Sequence, residues 1–325
     1  MTRVVFLGSP QWAVPSLRSL SAAPDSLSMA VVGVVTQPDR PAGRGRLMQP
    51  CAVKSAALAL GLPVLSPISL RAEEGFRDLA GMSPDLAIVC AYGQILPRRV
   101  LDLPALGCWN LHFSLLPRWR GASPVQAAIL AGDAETGVSL QRMVEALDAG
   151  PVAAKSAPVA IGADETAAEL GGRLAELAAQ VLRDSLPHLL RGTATVLPQD
   201  ESQVTVCRKI DKRAGLVDWS RESATEIVRK VRAYTPWPGC ASYLGQRGLG
   251  LVRVEQAPAG AGSELPVPSA PPGTIAPGGL VRAAHGWVRL LEVKPEGRAV
   301  MSFAAFERGN PQAVGTRLAP APAAD

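Results

Sequence analysis

Several signatures of common enzyme classes are missing from this 325-residue sequence. Its five cysteines show no C-x-x-C spacing and its three histidines are scattered, which argues against a zinc site. The turn after the first apolar run lacks G-x-G-x-x-G, so nicotinamide or flavin chemistry loses support. No apolar run approaches the roughly twenty residues of a membrane span. The odd cysteine count and the lack of a charged-then-apolar leader predict a reducing, cytoplasmic compartment, and no feature argues for anything other than a monomer.

Charge is present but unevenly placed. The net charge is +5, yet the segment 206–253 holds ten Lys/Arg against four Asp/Glu, an excess of six (10 − 4). A basic segment of this kind suits a polyanion such as a nucleic acid. A solvated basic surface explains the charge equally well.

The chain length predicts two domains. Short apolar runs alternate with helical patterns over the first part of the chain, which predicts an α/β fold with a Rossmann-like, mostly parallel sheet and helices on both faces. Later strand-like segments, separated by Gly and Pro, predict a smaller OB-like antiparallel β-barrel. The predicted bounds are 1–191 for the first domain, 192–206 for a polar linker, 207–318 for the barrel and 319–325 for a disordered tail. Low complexity predicts a mobile loop over 257–273.

The most informative stretch is GCWNLHFSLLPRWRGASP, residues 107–124. Asn110 and His112 are two residues apart, so both side chains leave the same face of an extended strand. The turn-rich run that follows places them near the strand's carboxyl end, where ligands bind in open α/β sheets. A loop carboxylate such as Asp148 could orient the imidazole, and the three groups together suit acyl-type transfer.

A covalent nucleophile is not evident beside this pair. Ser114 lies in no G-x-S-x-G elbow, and Cys108 has no activating motif. Direct transfer to an acceptor amine is therefore favoured over a covalent enzyme intermediate. On spacing alone, however, a strand histidine that is merely satisfied by its neighbours is the preferred interpretation of His112.

A second candidate site is the loop TQPDRPAGRGRLMQP, which follows the second apolar run. It carries Arg40, Arg44 and Arg46 between Pro and Gly residues, which let the backbone approach a ligand closely. Three guanidinium groups on such a loop suit phosphate contacts. An exposed connection with incidental charge is the alternative.

Three segments resemble the active-site signature of the 10-formyltetrahydrofolate-dependent formyltransferases: Asn110-Leu-His112, the run from Ser114 through Arg120 to Pro124, and Leu147-Asp148-Ala-Gly150. The segments 36–46, 209–220 and 234–239 are similar to members of that family that act on tRNA, and the resemblance covers nearly the whole chain. The chain has Ala146 and Pro151 where the family usually has Gly and an acidic residue. These departures predict altered loop packing rather than lost catalysis.

The resemblance implies direct formyl transfer from 10-formyltetrahydrofolate, without a metal, to the α-amino group of methionine on initiator Met-tRNA, through a tetrahedral intermediate. Asn110 and His112 would hold the formyl oxygen, while Asp148 would orient His112 and help relay the amine proton. The implied folate site comprises Ser114, Leu115, Leu116, Pro117, Tyr92, Gly93 and Ile95. The implied tRNA contacts are Arg40, Arg44, Arg46, Lys209, Lys212 and Arg213, the last three in the barrel.

Two other functions remain open at this point. One is a formyltransferase that acts on a small amine such as a sugar nucleotide or a purine precursor. Such an enzyme needs neither the arginine loop nor a basic second domain, so those features favour tRNA. The other is an RNA-binding protein with an idle catalytic site, which would keep the basic segment and tolerate loss of the catalytic side chains.

Overall fold

The computed structural model describes residues 1–42, 47–258 and 270–321. The chain forms two compact units. The first unit comprises 1–124, 134–160 and 170–208, and the second comprises 125–133, 161–169 and the described residues from 209 onward. Arg44, Arg46, the central part of the predicted mobile loop and the last four residues lie outside the described residues.

The first unit is built on a seven-stranded sheet. The strands of this unit, which also has three separate two-stranded pairs, are β1 Thr2–Gly8, β2 Met29–Val35, β3 Arg40–Ala42, β4 Leu47–Gln49, β5 Val64–Leu65, β6 Leu86–Cys90, β7 Cys108–His112, β8 Arg120–Gly121, β9 Glu135–Thr136, β10 Ser139–Arg142, β11 Val152–Lys155, β12 Val159–Ala160 and β13 Val206–Cys207. The large sheet has the order β11-β10-β7-β6-β1-β2-β5. Pairing is parallel from β7 through β5, whereas β10 runs antiparallel to both β7 and β11. The predicted mostly parallel sheet is confirmed.

Both faces of this sheet are buried. Alternate residues of its central strands point to opposite faces, and apolar side chains pack on each. On one face, Val5 and Val89 pack in a cluster with Leu79 and Val100 from two helices. On the other face, Phe6 is fully buried. The helices of the chain are α1 Val14–Ser21, α2 Ala52–Ala59, α3 Glu73–Gly81, α4 Arg98–Leu101, α5 Pro124–Ala131, α6 Ala167–Leu190, α7 Ala224–Tyr234 and α8 Phe303–Gly309.

The second unit contains an antiparallel sheet that closes on itself. Its strands are β14 Cys240–Leu244, β15 Arg247–Gln256, β16 Ile275–Ala276, β17 Leu280–Arg282, β18 Trp287–Pro295, β19 Met301–Ser302 and β20 Leu318–Ala319, in the order β16-β17-β18-β15-β14-β20 with β19 beside β18. Backbone hydrogen bonds join the two ends of this order: Ile275 N donates to Thr316 O at 3.0 Å and Leu318 N to Gly273 O at 2.9 Å. Among the described residues, these bonds close the order of strands into a barrel.

Capping boxes start two helices at the positions that the sequence marks. Thr166 and Glu169 exchange hydrogen bonds before α6, as their S/T-x-x-E spacing predicts. Ser223 and Glu226 do the same at α7. Among the described residues, no helix is long and apolar enough to cross a membrane.

Two pieces of chain that the sequence places in the first domain belong to the second unit. The Arg229 guanidinium donates to Ala131 O at 3.3 Å, and Arg232 donates to the carbonyls of Gly162 and Ala163. These carbonyls end α5 or precede α6. Arginines of α7 therefore hold both segments within the second unit.

Four of the five cysteines are buried, and Cys51 is partly exposed. Burial raises the thiol pKa of Cys90, Cys108 and Cys240 to about 12. Burial also raises the pKa of Cys207. A raised thiol pKa leaves little thiolate near neutral pH, so these four thiols are poor nucleophiles.

Candidate active site

Three polar side chains meet where β7 and β10 pair. Asn110 and His112 lie on β7, and the antiparallel register places Gln141 opposite Asn110 and Ser139 opposite His112. Directly opposite residues of an antiparallel pair project to the same face. Gln141 therefore joins the two residues of the predicted pair.

Asp148 lies at the centre of this cluster. Its Oδ1 accepts hydrogen bonds from Gln141 Nε2 at 2.7 Å and Asn110 Nδ2 at 3.3 Å. Its Oδ2 accepts one from the backbone N–H of Gly121 at 2.9 Å. The carboxylate is only 9% exposed, and His112 Nδ1 lies 3.6 Å from Oδ1. The loop carboxylate and the strand pair are thus brought together.

The tautomer of His112 follows from its contacts. Its Nε2 lies 2.8 Å from the carbonyl oxygen of Trp119. A carbonyl oxygen only accepts hydrogen bonds, so Nε2 carries a proton. The other ring nitrogen, Nδ1, faces Asp148.

Asp148 adopts an unusual backbone conformation. Its φ is +51°, in the left-handed region that Asp tolerates better than most residues. Gly150 packs so closely that an added Cβ would lie 1.8 Å from Arg142 O. The loop 145–151 is therefore tightly folded against β10. Pro151, one of the two family departures, accepts a backbone hydrogen bond from Arg142 N at 2.9 Å.

The segment 192–206, predicted as a linker, contributes side chains to this cluster. Gln199 Nε2 donates to the backbone oxygens of Asp148 and Gly150, at 2.8 and 2.7 Å. Glu201 forms an ion pair of 2.7 Å with Arg120, a guanidinium that is only 10% exposed. Gln199 of the predicted linker thus reaches the loop that carries Asp148, and Glu201 reaches Arg120.

The segment Ser114–Pro117 is anchored largely within the protein. The Ser114 hydroxyl, itself buried, donates to Arg118 O at 2.5 Å, and Leu116 is fully buried. Leu115 and Pro117 are partly exposed. Of these four predicted folate contacts, Leu115 and Pro117 therefore have side-chain surface available to a ligand.

The turn after β6 holds the other predicted folate contacts. Tyr92 is buried, burial raises its pKa to about 12, and its hydroxyl has no hydrogen-bond partner among the described residues. Gly93 has a φ of +82°, and Ile95 is 64% exposed. Gln37 connects this turn to the arginine loop, because it donates to Tyr92 O at 2.9 Å and accepts from Arg40 at 2.8 Å.

The basic residues predicted to contact tRNA are exposed where they are described. Arg40 is exposed on β3 in the first unit, and Lys209, Lys212 and Arg213 are exposed in the second. Lys212 and Arg213 begin a short 3-10 helix, Lys212–Gly215. Within the described residues, no group of three His, Cys, Asp or Glu side chains is placed to hold a metal ion.

Three site residues escaped the sequence analysis. Gly121 lies inside the active-site signature, and its φ of +119° explains why glycine is needed there. Gln141 lies on β10, whose register with β7 could not be read from the sequence. Gln199 lies in a segment without hydrophobic period, which gives no local signal.

Comparison with known proteins places both parts of the chain in one family. Residues 2–186 match the family described as Formyl transferase, and residues 209–311 match Formyl transferase, C-terminal domain. The methionyl-tRNA formyltransferase of Methylococcus capsulatus is 46% identical over 307 residues, which cover 94% of this chain and 96% of the relative. That of Myxococcus xanthus is 43% identical and covers 97% of each chain.

Solved structures share the fold at low sequence identity. The N-formyltransferase from Helicobacter canadensis, in complex with folinic acid and dTDP-3-aminofucose, has a TM-score of 0.62 at 14% identity and covers 89% of this chain and 98% of its own. HypX from Aquifex aeolicus, in complex with tetrahydrofolic acid, has a TM-score of 0.60 at 18% identity. It covers 96% of this chain and 48% of its own.

Proposed function

The chain belongs to the formyl transferase family, and from this membership we propose that it formylates the α-amino group of methionine on initiator Met-tRNA. The donor in this proposal is 10-formyltetrahydrofolate. The observation that carries it is the likeness, at 43–46% identity over 94–97% of the chain, to relatives named methionyl-tRNA formyltransferase. The cytoplasmic location expected from the sequence is part of the same proposal, because the acceptor serves translation.

The proposed chemistry uses the cluster around Asp148. As the amine nitrogen attacks the formyl carbon, negative charge develops on the formyl oxygen. One N–H of the Asn110 amide points to Asp148, and the other can donate to that oxygen. His112 would hold the same oxygen, and Asp148 would orient the imidazole and help relay the amine proton. The amine then loses one proton, and the folate nitrogen gains one when its bond to the formyl carbon breaks.

Exposed apolar side chains support a folate site. Ile95 and Leu147 are 64% and 62% exposed, and an aromatic ring system can cover such side chains. Tyr92 is only 2% exposed, so the side-chain surface that its turn offers to a ligand comes from Ile95. We assign the donor to Ile95 on the Tyr92–Ile95 turn and to Leu115 and Pro117.

The exposed basic residues are the proposed tRNA contacts. Arg40 is fixed by its hydrogen bond to Gln37, and it would bind phosphate of the acceptor end together with Arg44 and Arg46. Lys209, Lys212 and Arg213 would bind the tRNA backbone. In this proposal residues 1–191 form the catalytic domain and residues 207–318 the tRNA-binding domain.

A transfer assay tests the proposal. The protein is incubated with 10-formyltetrahydrofolate and either methionine-charged initiator tRNA or an amino-sugar nucleotide, and formylated product is quantified after quenching. We expect formyl-methionine from the tRNA and no product from the sugar. Formylation of the sugar without formylation of the tRNA would refute the proposed acceptor. An Asn110→Ala variant serves as the inactive control.

A further inference from the structure

We propose that Gln199 is a positioning residue for formyl transfer, which acts by fixing the loop that carries Asp148. The inference rests on the proposed function, because it assumes that the Asp148 carboxylate takes part in the reaction. Gln199 itself makes no contact with Asn110 or His112 in the described hydrogen-bond network. Its effect must therefore pass through the backbone of the Asp148 loop.

The first observation is the pair of hydrogen bonds that Gln199 donates. Both N–H bonds of its amide are used, on the carbonyl oxygens of Asp148 at 2.8 Å and Gly150 at 2.7 Å. One nitrogen thus holds two carbonyls that lie two residues apart. The enclosed turn has Asp148 at a φ of +51°, a conformation that a non-glycine residue keeps only when its surroundings enforce it.

The second observation is that the Gln199 amide has a defined orientation. Its Oε1 accepts a hydrogen bond from Arg120 Nε at 3.0 Å. The guanidinium has no acceptor, so the carbonyl end of the amide faces Arg120 and the NH₂ end faces the loop. Glu201 holds the two terminal nitrogens of Arg120 at 3.1 and 2.7 Å. The amide is therefore fixed at both ends.

The third observation links Arg120 to the carboxylate itself. The next residue, Gly121, donates its N–H to Asp148 Oδ2 at 2.9 Å. Gln199 therefore connects the backbone of the Asp148 loop with the strand, β8, that binds the Asp148 side chain. Losing this connection would allow the carboxylate to move relative to His112, and a displacement of 1 Å at a reacting group can cost about 100-fold in rate.

The test compares Gln199→Leu and Gln199→Glu with Gln203→Leu. Leucine removes all three hydrogen bonds, whereas glutamate retains a partner for Arg120 and removes the donors to the loop. Gln203 is a matched control, because it lies in the same segment, is exposed, and bonds to Asp200 at 2.8 Å. Steady-state formylation is measured with each substrate varied, and thermal unfolding is followed in parallel.

For a positioning role we expect kcat to fall about 10- to 100-fold in both Gln199 variants, with each KM within about threefold of the unchanged protein. Gln203→Leu should retain full activity. In an Asp148→Asn background, Gln199→Leu should cost less than about threefold, because the group it positions is already gone. An equal loss in both backgrounds, or a loss confined to KM or to unfolding temperature, would overturn the proposal.

A second measurement does not depend on activity. Amide hydrogen exchange of peptides covering 145–151 should become faster in Gln199→Glu and stay unchanged in Gln203→Leu. Unchanged exchange of this loop would overturn the positioning role even in an active protein. If exchange is faster in a protein that formylates no tRNA, the result supports the role of Gln199 in fixing the loop and refutes the proposed acceptor.

Discussion

Replacing Asp148 by asparagine tests the role of the carboxylate with little change of shape. The side chain is only 9% exposed and accepts three hydrogen bonds, from Gly121, Gln141 and Asn110. Asparagine retains one acceptor oxygen, which can keep the bond from Gly121. Its NH₂ group would face Gln141, whose Oε1 has no partner among the described residues and can turn to accept. We expect the free energy of unfolding to fall by only about 1–2 kcal/mol.

The expected loss of turnover is much larger. His112 Nδ1 lies 3.6 Å from Oδ1 of Asp148. Two unit charges at this distance interact by about 4–5 kcal/mol at an effective dielectric constant of about 20. Positive charge that develops beside the carboxylate in the transition state loses this interaction in the variant, so the reaction should slow about 10³-fold. Binding of tRNA should change little, because no hydrogen bond or ion pair joins the carboxylate to any of the basic residues proposed to contact tRNA that the structure describes.

Single-turnover formylation and filter binding of charged tRNA measure the two effects separately. Asp184→Asn, an exposed change of the same kind on α6, is the control and should leave both unchanged. A rate within about tenfold of the unchanged protein would refute the electrostatic role of Asp148. Equal losses of tRNA binding and turnover would show instead that the residue is structural.

Three further outcomes are expected. Gly121→Ala should remove most turnover, because its Cβ would lie 2.0 Å from Cys207 O and displace the N–H that binds the carboxylate. Gly172→Ala should retain activity, because among the described residues outside its own helix turn its Cβ would meet no atom within 4 Å; the reverse order would contradict the packing. Iodoacetamide under native conditions should label Cys51 alone, since burial raises the pKa of the other four thiols; mass spectrometry showing rapid labelling elsewhere would be inconsistent with this. Ser223→Ala should lower the free energy of unfolding by about 1 kcal/mol, because the α7 capping box loses its hydroxyl; denaturation with no shift would argue against the cap.

Much of the candidate active site follows from local sequence. The spacing of Asn110 and His112 places both on one strand face, and the Leu147-Asp148 signature supplies the third group. To place Gln141 in the site, one must know the register of β10 against β7, and that register depends on a long-range pairing. The contacts of Gln199 are harder still to predict, because its partners lie 49 and 51 residues away in sequence. A polar segment without periodicity gives no sign that it will fold back on a loop so distant in sequence.

The fold, like the site, is only partly predictable from local sequence. Continuous apolar runs such as LAIVC in β6 predict a sheet buried on both faces, and the structure has one. The reversal of β10 between β7 and β11 has no comparable signal, because β10 and β11 are each only four residues long. The assignment of 125–133 and 161–169 to the second unit depends on arginines of α7 that follow much later in the chain. Local patterns carry no information on such contacts.

The contacts of the segment 197–207 also have a consequence for the order in which the chain is synthesised. Asn110, His112 and Asp148 are all synthesised before Gln199 and β13. A nascent chain, or a fragment cut at the predicted domain end of 191, holds the three proposed catalytic side chains and lacks Gln199, which bonds to the Asp148 loop. We therefore expect an autonomous catalytic fragment to extend to Cys207, which pairs with Gly121 across β13 and β8.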